Sequence, residues 1–522
     1  MTLTRKELLA LGALGSAALL LPMERSAMTK LTTPERLPES RLPEPFTVPF
    51  GVPPVLRPVR ATDDMDYYQM TMRAARRQIL PGLPKTLIYG YNGMAPGPTM
   101  ISSVGRGAVV RQINGLPRTT RLGERSYKTT TSVHLHGSAS QPQYDGYAED
   151  LTPPGYYKDY RYPNTRAATI WYHDHGLHHT AENTYLGLAG LNIEQDALEQ
   201  SLPLPRGYGR YDVPIAIQDK IFARDGALIF DDEGEDQLMG DIILVNGRPF
   251  PTMKVERRKY RLRLLNASVS RSYELSLSAD EPMTVIGTDG GLMPEPQPVG
   301  SLLIGPAERY EIVVDFARYR IGDELILRNR SPKNNADYPS IRRIMRFEVT
   351  DEPRTTKNNV VPDTLRPNNP VMELRESEAT HTERFRFRRR RGMWTIDGET
   401  WDPGRVDARC DLGQVEVWEF ENRSGGWNHP IHVHLIDFRI LDRNGKPPRD
   451  YERGPKDVAY VGENETVRVL AQFGPQQGKY MMHCHNVTHE DHDMMTQFEV
   501  GEGGPDPVTS DPARPVSEMT PL

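Results

Sequence analysis

The chain has 522 residues, which at about 150 residues per domain sets an expectation of three or four domains. Hydrophobic residues make up 37% and charged residues 26%, with 45 Pro and 43 Gly, the balance of a turn-rich globular protein. A formal net charge of −6 argues against a nucleic-acid partner, and two cysteines, Cys410 and Cys484, exclude a disulfide-stapled scaffold.

Arg5 and Lys6 precede an apolar run, Leu8 to Leu21, which has the length of a signal h-region and is too short to span a bilayer comfortably. Residues 1–30 are therefore expected to be an export signal, placing the mature protein in the periplasm, at the cell surface or outside the cell. The string Thr4-Arg5-Lys6-Glu7-Leu8-Leu9 resembles a bacterial twin-arginine signal, with Lys6 where the second Arg belongs; an ordinary Sec signal is the alternative. No other segment is apolar enough to cross a membrane, so the mature chain is expected to hold no integral membrane segment.

Three copies of one unit follow. Asn92-Gly93, Asn246-Gly247 and Asp397-Gly398 are turn signals, since these residue types tolerate positive φ. Each precedes a strand-like segment ending in Asn: 108–114, 260–266 and 415–422. Asn92 and Asn246 stand 154 residues apart, and Asn246 and Asp397 stand 151 apart. A period of that size means tandem domains rather than a solenoid. Alternation of period two, as in Arg384-Phe385-Arg386-Phe387-Arg388, and short strands between Gly/Pro turns point to an all-β chain of sandwiches or barrels. The expected domains are 45–205, 206–352 and 380–502. Residues 352–382 read as a polar linker, and residues 503–522, rich in Pro, Asp and Ser, as a disordered tail. The run Arg388 to Arg391 reads as a solvated strand end and turn.

The 14 histidines are distributed unevenly. They fall in the first unit and the third, and His381 alone lies between His179 and His429. Four H-x-H pairs stand out: His134/His136, His173/His175, His432/His434 and His483/His485. On a strand, residues i and i+2 share a face, so each pair can present two imidazoles to one centre. Eight nitrogen ligands suffice for several metal ions at an interface of the first and third domains. The middle domain, without histidine, is expected to be a spacer. Cys484, between His483 and His485, faces the other way and can bind a different metal. His429, Cys484, His489 and a weak axial Met494 form the ligand set of a blue-copper site. Cys410 is then a small buried hydrophobe.

These four motifs resemble those of the multicopper oxidase family. They read His134-Leu135-His136-Gly137, Trp171-Tyr172-His173-Asp174-His175-Gly176, His429-Pro430-Ile431-His432-Val433-His434 and His483-Cys484-His485-x3-His489-x4-Met494. The likeness covers nearly the whole mature chain. Within the family, Asp145-Gly146-Tyr147-Ala148-Glu149-Asp150 and Trp427 lean toward bilirubin oxidases, and His489-Glu490-Asp491-His492 is shared with bacterial spore-coat laccases. The resemblance implies three tandem cupredoxin-like Greek-key domains and four copper ions. His429, Cys484, His489 and Met494 would hold a type 1 copper, and His134 and His432 a type 2 copper. His136, His173, His175, His434, His483 and His485 would hold a type 3 pair.

The implied reaction is one-electron oxidation of a small aromatic or tetrapyrrole donor, coupled to reduction of dioxygen to water. A metal-ion oxidase of the same fold is the alternative, disfavoured because the 20 methionines are scattered. A simple blue-copper carrier, a copper nitrite reductase or a non-catalytic copper binder leaves the full set of paired histidines unexplained. Asp145 and Glu490 match acidic positions of the family and are expected to relay protons. Electrons are expected to enter through an exposed edge of His429, with Trp427 in the turn Ser424-Gly425-Gly426-Trp427-Asn428 as a stacking platform.

Overall fold

A computed structural model describes residues 35–122, 125–232, 234, 236–331 and 338–522. The expected export signal, residues 1–30, lies outside the described residues. Among those residues, no helix is long and apolar enough to cross a membrane.

The chain is all-β and folds as three cupredoxin-like domains. Each of the three Asn-terminated segments takes the same place in its sheet. Gly107–Asn114 pairs parallel with Met65–Arg77 and antiparallel with Tyr156–Tyr162. Lys259–Asn266 pairs parallel with Asp212–Phe222 and antiparallel with Arg309–Asp315. Val415–Asn422 pairs parallel with His381–Arg390 and antiparallel with Thr466–Gln472. The turn pairs behave alike too: Asn92, Asn246 and Asp397 have φ of 54°, 50° and 55°, each followed by a glycine at positive φ. Such paired left-handed residues match the twist of a tight hairpin.

The terminal asparagine of each segment is a buried bracket. Asn114 Oδ1 accepts from the Leu116 N–H, and its Nδ2 donates to the carbonyls of Thr129 and Thr152. Asn266 does the same with Ser268, Arg271 and Ile304, and Asn422 with Ser424, Trp427 and Gly462. An amide that meets both its donor and acceptor needs in this way ties three backbone segments together without leaving a buried polar group unpaired.

Two further sheets carry the histidine motifs. In the first domain Val133–His136 pairs antiparallel with Thr169–Asp174, setting His134 opposite His173 and His136 opposite Trp171. In the third, His429–Val433 pairs antiparallel with Gly478–Cys484, setting His432 opposite His483 and Ile431 opposite Cys484. The third domain has its own apolar core, including Phe385, Trp418, Phe420, Phe438 and Tyr480, into which Cys410 is packed. Both cysteines are free thiols.

Two expectations are corrected. The tail after Gly501 is ordered. Arg514–Pro515 pairs with Tyr157 and Tyr156, Tyr144 Oη donates to Asp511 Oδ2 at 3.0 Å, and the Arg111 guanidinium donates to the Thr520 carbonyl. The strand Tyr156–Tyr162 would otherwise be an open sheet edge, and its partner arrives from far along the chain, where composition gives no sign of it. The middle domain is also more than a spacer, because two of its residues reach the histidine sites, as the next section shows. The Arg388–Arg391 run is a solvated strand end and turn, with Arg389 paired to Asp236 at 2.6 Å.

Candidate metal centre

Strand register and alternation bring the predicted ligands together in groups. Donor atoms of His136, His173 and His485 lie within 4.8 Å of one another. The same holds for His175, His434 and His483, for His134, His136 and His432, and for His429, Cys484 and His489. The first three groups draw on the first and third domains; the last lies within the third. Met494 is buried in the same apolar cluster as Cys484, and its carbonyl accepts the Cys484 N–H at 3.1 Å. His178, His179, His381 and His492 join none of these groups.

The donor set suits metal binding. His175 Nε2 and His434 Nε2 each face His483 Nε2, at 3.1 and 3.2 Å, and His134 Nε2 faces His432 Nε2 at 3.3 Å. Imidazole nitrogens that converge on one another have lone pairs to give. Among the described residues, buried His136 Nδ1, His173 Nε2 and both nitrogens of His485 have no protein partner. Burial and neighbouring histidines hold His134, His136, His432, His434 and His485 far below the ordinary imidazole range. Burial foremost lowers His173 to about 3 and His175 to about 4. All are neutral at physiological pH, the form that can ligate a metal. At the other site burial lowers His429 to about 3 and pushes the Cys484 thiol up. A thiol so buried becomes a thiolate when a cation takes the proton's place. Neutral imidazoles with one thiolate fit copper.

The outer nitrogens are held as well. His434 Nδ1 lies 2.7 Å from Asp145 Oδ2, and His134 Nδ1 donates to the Asp145 carbonyl. Asp145 approaches this closely because Gly146, at φ 79°, lies against His134: a Cβ there would sit 2.6 Å from the His134 Cα. Burial drives the Asp145 carboxyl well above the usual carboxylate range. Glu490, in the helix Val487–Asp491, places Oε2 2.9 Å from His483 Nδ1 and Oε1 3.5 Å from His175 Nε2. Burial raises Glu490, but His483 and His175 outweigh it and hold the carboxyl at about 2.

Five residues around the site were not picked out from the sequence as part of it. Asp457 Oδ1 accepts from His136 Nε2 at 3.0 Å, and its carbonyl accepts from His432 Nδ1 at 2.9 Å. Its carboxylate also takes two bonds from Arg309 of the middle domain, at 2.6 and 2.5 Å. Asp236, again from the middle domain, accepts from His489 Nε2 at its carbonyl, at 2.7 Å. Trp394 stacks on His489, with ring centroids 3.7 Å apart. Ser424 Oγ lies 2.7 Å from His429 Nε2.

The expected exposed edge of His429 is a further correction. The residue is 0% exposed, because the 424–427 turn folds over it and Ser424 occupies its outer nitrogen. Trp427 is half-buried and meets Trp394 and His489 edge-on, at 5.4 and 5.6 Å, in place of a stack on His429.

Fold and site together define a protein of three cupredoxin-like domains with buried histidine clusters that fit copper. Multicopper oxidase family profiles match residues 73–196, 222–337 and 373–504. The chain belongs to the multicopper oxidase family and is a copper oxidoreductase that uses dioxygen. It is 40% identical to a bilirubin oxidase of Albifimbria verrucaria, over 93% of this chain and 88% of that protein. It is 35% identical to a laccase of Bacillus stratosphericus, over 88% of this chain and 99% of that protein. The crystal structure of a laccase from Pediococcus acidilactici is similar at a TM-score of 0.79 and 32% identity, covering 88% of this chain and 95% of that one.

Asp457→Ala strips His136 and Arg309 of their shared partner in a fully buried setting. The expected cost is roughly 3–5 kcal/mol of stability, the scale of breaking one partner out of a buried ion pair, read by denaturant unfolding of the metal-free protein. A change below about 1 kcal/mol would show that the pairing contributes little.

Proposed function

We propose that the protein oxidises phenolic or tetrapyrrole donors one electron at a time and reduces dioxygen to water at a trinuclear copper centre. The observation that carries this reading is the junction at the end of one strand: Cys484 joins His429 and His489, while its sequence neighbours His483 and His485 join the groups of paired histidines. In this reading His429, Cys484, His489 and Met494 hold a type 1 copper, His134 and His432 a type 2 copper, and His136, His173, His175, His434, His483 and His485 a type 3 pair. Copper supplies the one-electron redox chemistry. The chain supplies rigid donors, a dry setting and an unbroken covalent link from the Cys484 sulfur to the imidazoles on either side of it.

Proton handling falls to Asp145 and Glu490. Burial pushes the Asp145 carboxyl toward its proton-bearing form, and it touches His434, so it is placed to donate. Glu490 stays ionised between His483 and His175, so it can accept and pass on a proton. At the surface, half-buried Trp427 is the platform for a flat aromatic donor, joined to His489 through Trp394. The similarity to a bilirubin oxidase supports tetrapyrroles, and that to laccases supports phenols. Export rests on the Leu8–Leu21 run.

Copper quantitation with a visible spectrum tests the reading. About four ions and an intense thiolate band are expected. Cys484→Ser should lose both the band and the oxidase activity; a mutant that stays blue would remove Cys484 from the site.

Asp145→Asn should lower turnover on the order of 100-fold at neutral pH with copper content near normal, the scale of a positioned proton donor. The loss should shrink at alkaline pH, where the wild-type carboxyl has given up its proton. Glu490→Gln should slow turnover likewise. Unchanged pH–rate profiles in both variants would end the relay.

For Trp427→Ala, KM for bilirubin should rise or kcat fall, while ferrocyanide, which needs no stacking surface, is affected differently. Equal losses for all donors would mean damage to the metal site instead.

A further inference from the structure

Two imidazoles approach Cys484, and each has its outer nitrogen capped. His489 Nε2 lies 2.7 Å from the Asp236 carbonyl and 3.0 Å from the Asn486 side-chain amide. That carbonyl is main chain, which no substitution removes. His429 Nε2 is capped by one side-chain hydroxyl, Ser424 Oγ, at 2.7 Å. Ser424 is half-buried and is followed by exposed Gly425 and Gly426, so it stands where the turn meets solvent.

A serine hydroxyl has one proton and two lone pairs. The Phe387 carbonyl, 3.2 Å from Ser424 Oγ, can only accept and takes that proton. With that proton given to Phe387, Ser424 Oγ accepts from His429, which places the ring proton on Nε2. The ring's free lone pair is left on Nδ1, which lies 3.2 Å from Cys484 Sγ. The hydroxyl therefore selects the tautomer that can bind a metal beside the thiolate. One lone pair of Oγ remains, on a turn that a donor reaches before it reaches the buried ring.

We propose that Ser424 is a positioning and specificity-determining residue of the electron-entry site. It holds His429 with Nδ1 inward, and it offers its remaining lone pair to the O–H or N–H of an aromatic donor. This rests on the assignment of His429 and Cys484 to a type 1 copper. An acceptor on the outer N–H of a metal-bound imidazole strengthens it as a ligand, and the loss of such a partner costs about 10–100-fold in metal affinity. Stronger donation favours the more highly charged cupric state, so removing the hydroxyl raises the reduction potential. A tenfold loss borne by the cupric state alone corresponds to about 59 mV.

The test compares Ser424→Ala and Ser424→Thr with the wild type in the copper-loaded full chain. In Ser424→Ala the type 1 potential should rise, and KM for a phenol should increase about fivefold, the worth of one ordinary hydrogen bond. KM for ferrocyanide, which carries no O–H or N–H, should shift less than KM for the phenol. Ser424→Thr keeps the hydroxyl and should restore both values. An unmoved potential in the Ala variant, or a Thr variant that behaves like it, overturns the proposal. If Ser424→Ala retains no copper, unfolding of the metal-free protein decides: an unchanged Tm supports positioning, and a lowered Tm overturns it. A wild type that shows no thiolate band when loaded with copper would instead refute the copper assignment itself.

Discussion

Successive residues of a β-strand point to opposite faces, and everything at the centre of this protein depends on that alternation at the end of Gly478–Cys484. It sends Cys484 to His429 and His489 while its neighbours His483 and His485 go to separate histidine groups. A slip of one residue would exchange the two sets, so the register has to be held from elsewhere. It is held on one side by His429–Val433 and on the other by Met495–Val500, with apolar residues of both buried in the core of the third domain. The helix Val487–Asp491 then adds a tie across domains. Asp491 accepts the N–H groups of Thr180 and Ala181 at the start of the helix Thr180–Leu186, at 3.0 and 2.7 Å. A carboxylate at a helix N-terminus meets free N–H groups and a favourable dipole, so the two histidine-bearing domains are locked in register at the point where their ligands meet.

The repeated architecture and the residues that cluster at the centre were legible in the sequence because both rest on local chemistry. Asn-Gly and Asp-Gly steps mark turns by their tolerance of positive φ, and H-x-H on a strand marks a shared face. What escaped was set by distant segments. Asp457 follows Lys456 in an ordinary strand approach, and nothing near it hints at His136 or Arg309. Trp394 reads as one more core aromatic until the fold lays it on His489. The tail reads as disordered by composition, yet a sheet edge in the first domain was waiting for it. His429 was expected to show an edge to solvent, and a turn five residues upstream covers it.

The middle domain shows why ligand counting understates a site. It contributes no imidazole, but Arg309 neutralises Asp457 under the histidine groups and Asp236 fixes the orientation of His489. Burying a guanidinium and a carboxylate is costly, and it is offset here by two short bonds within the pair and by further acceptors, including the carbonyls of Thr169 and Asp289. Those two carbonyls come from the first and middle domains, and Asp457 from the third. One cation thus connects all three domains directly beneath the ligands.

The asparagine bracket has a different consequence in the third domain than in the first two. Asn422 grips the N–H of Ser424 and the carbonyl of Trp427, so both ends of the turn over His429 are anchored to one buried amide. Residues cannot be added or removed between Ser424 and Trp427 without breaking the grip, and Gly425 and Gly426, at φ of 62° and 83°, fix the backbone between them. Diversification of this surface, natural or engineered, is therefore restricted to exchanging side chains within a loop of fixed length.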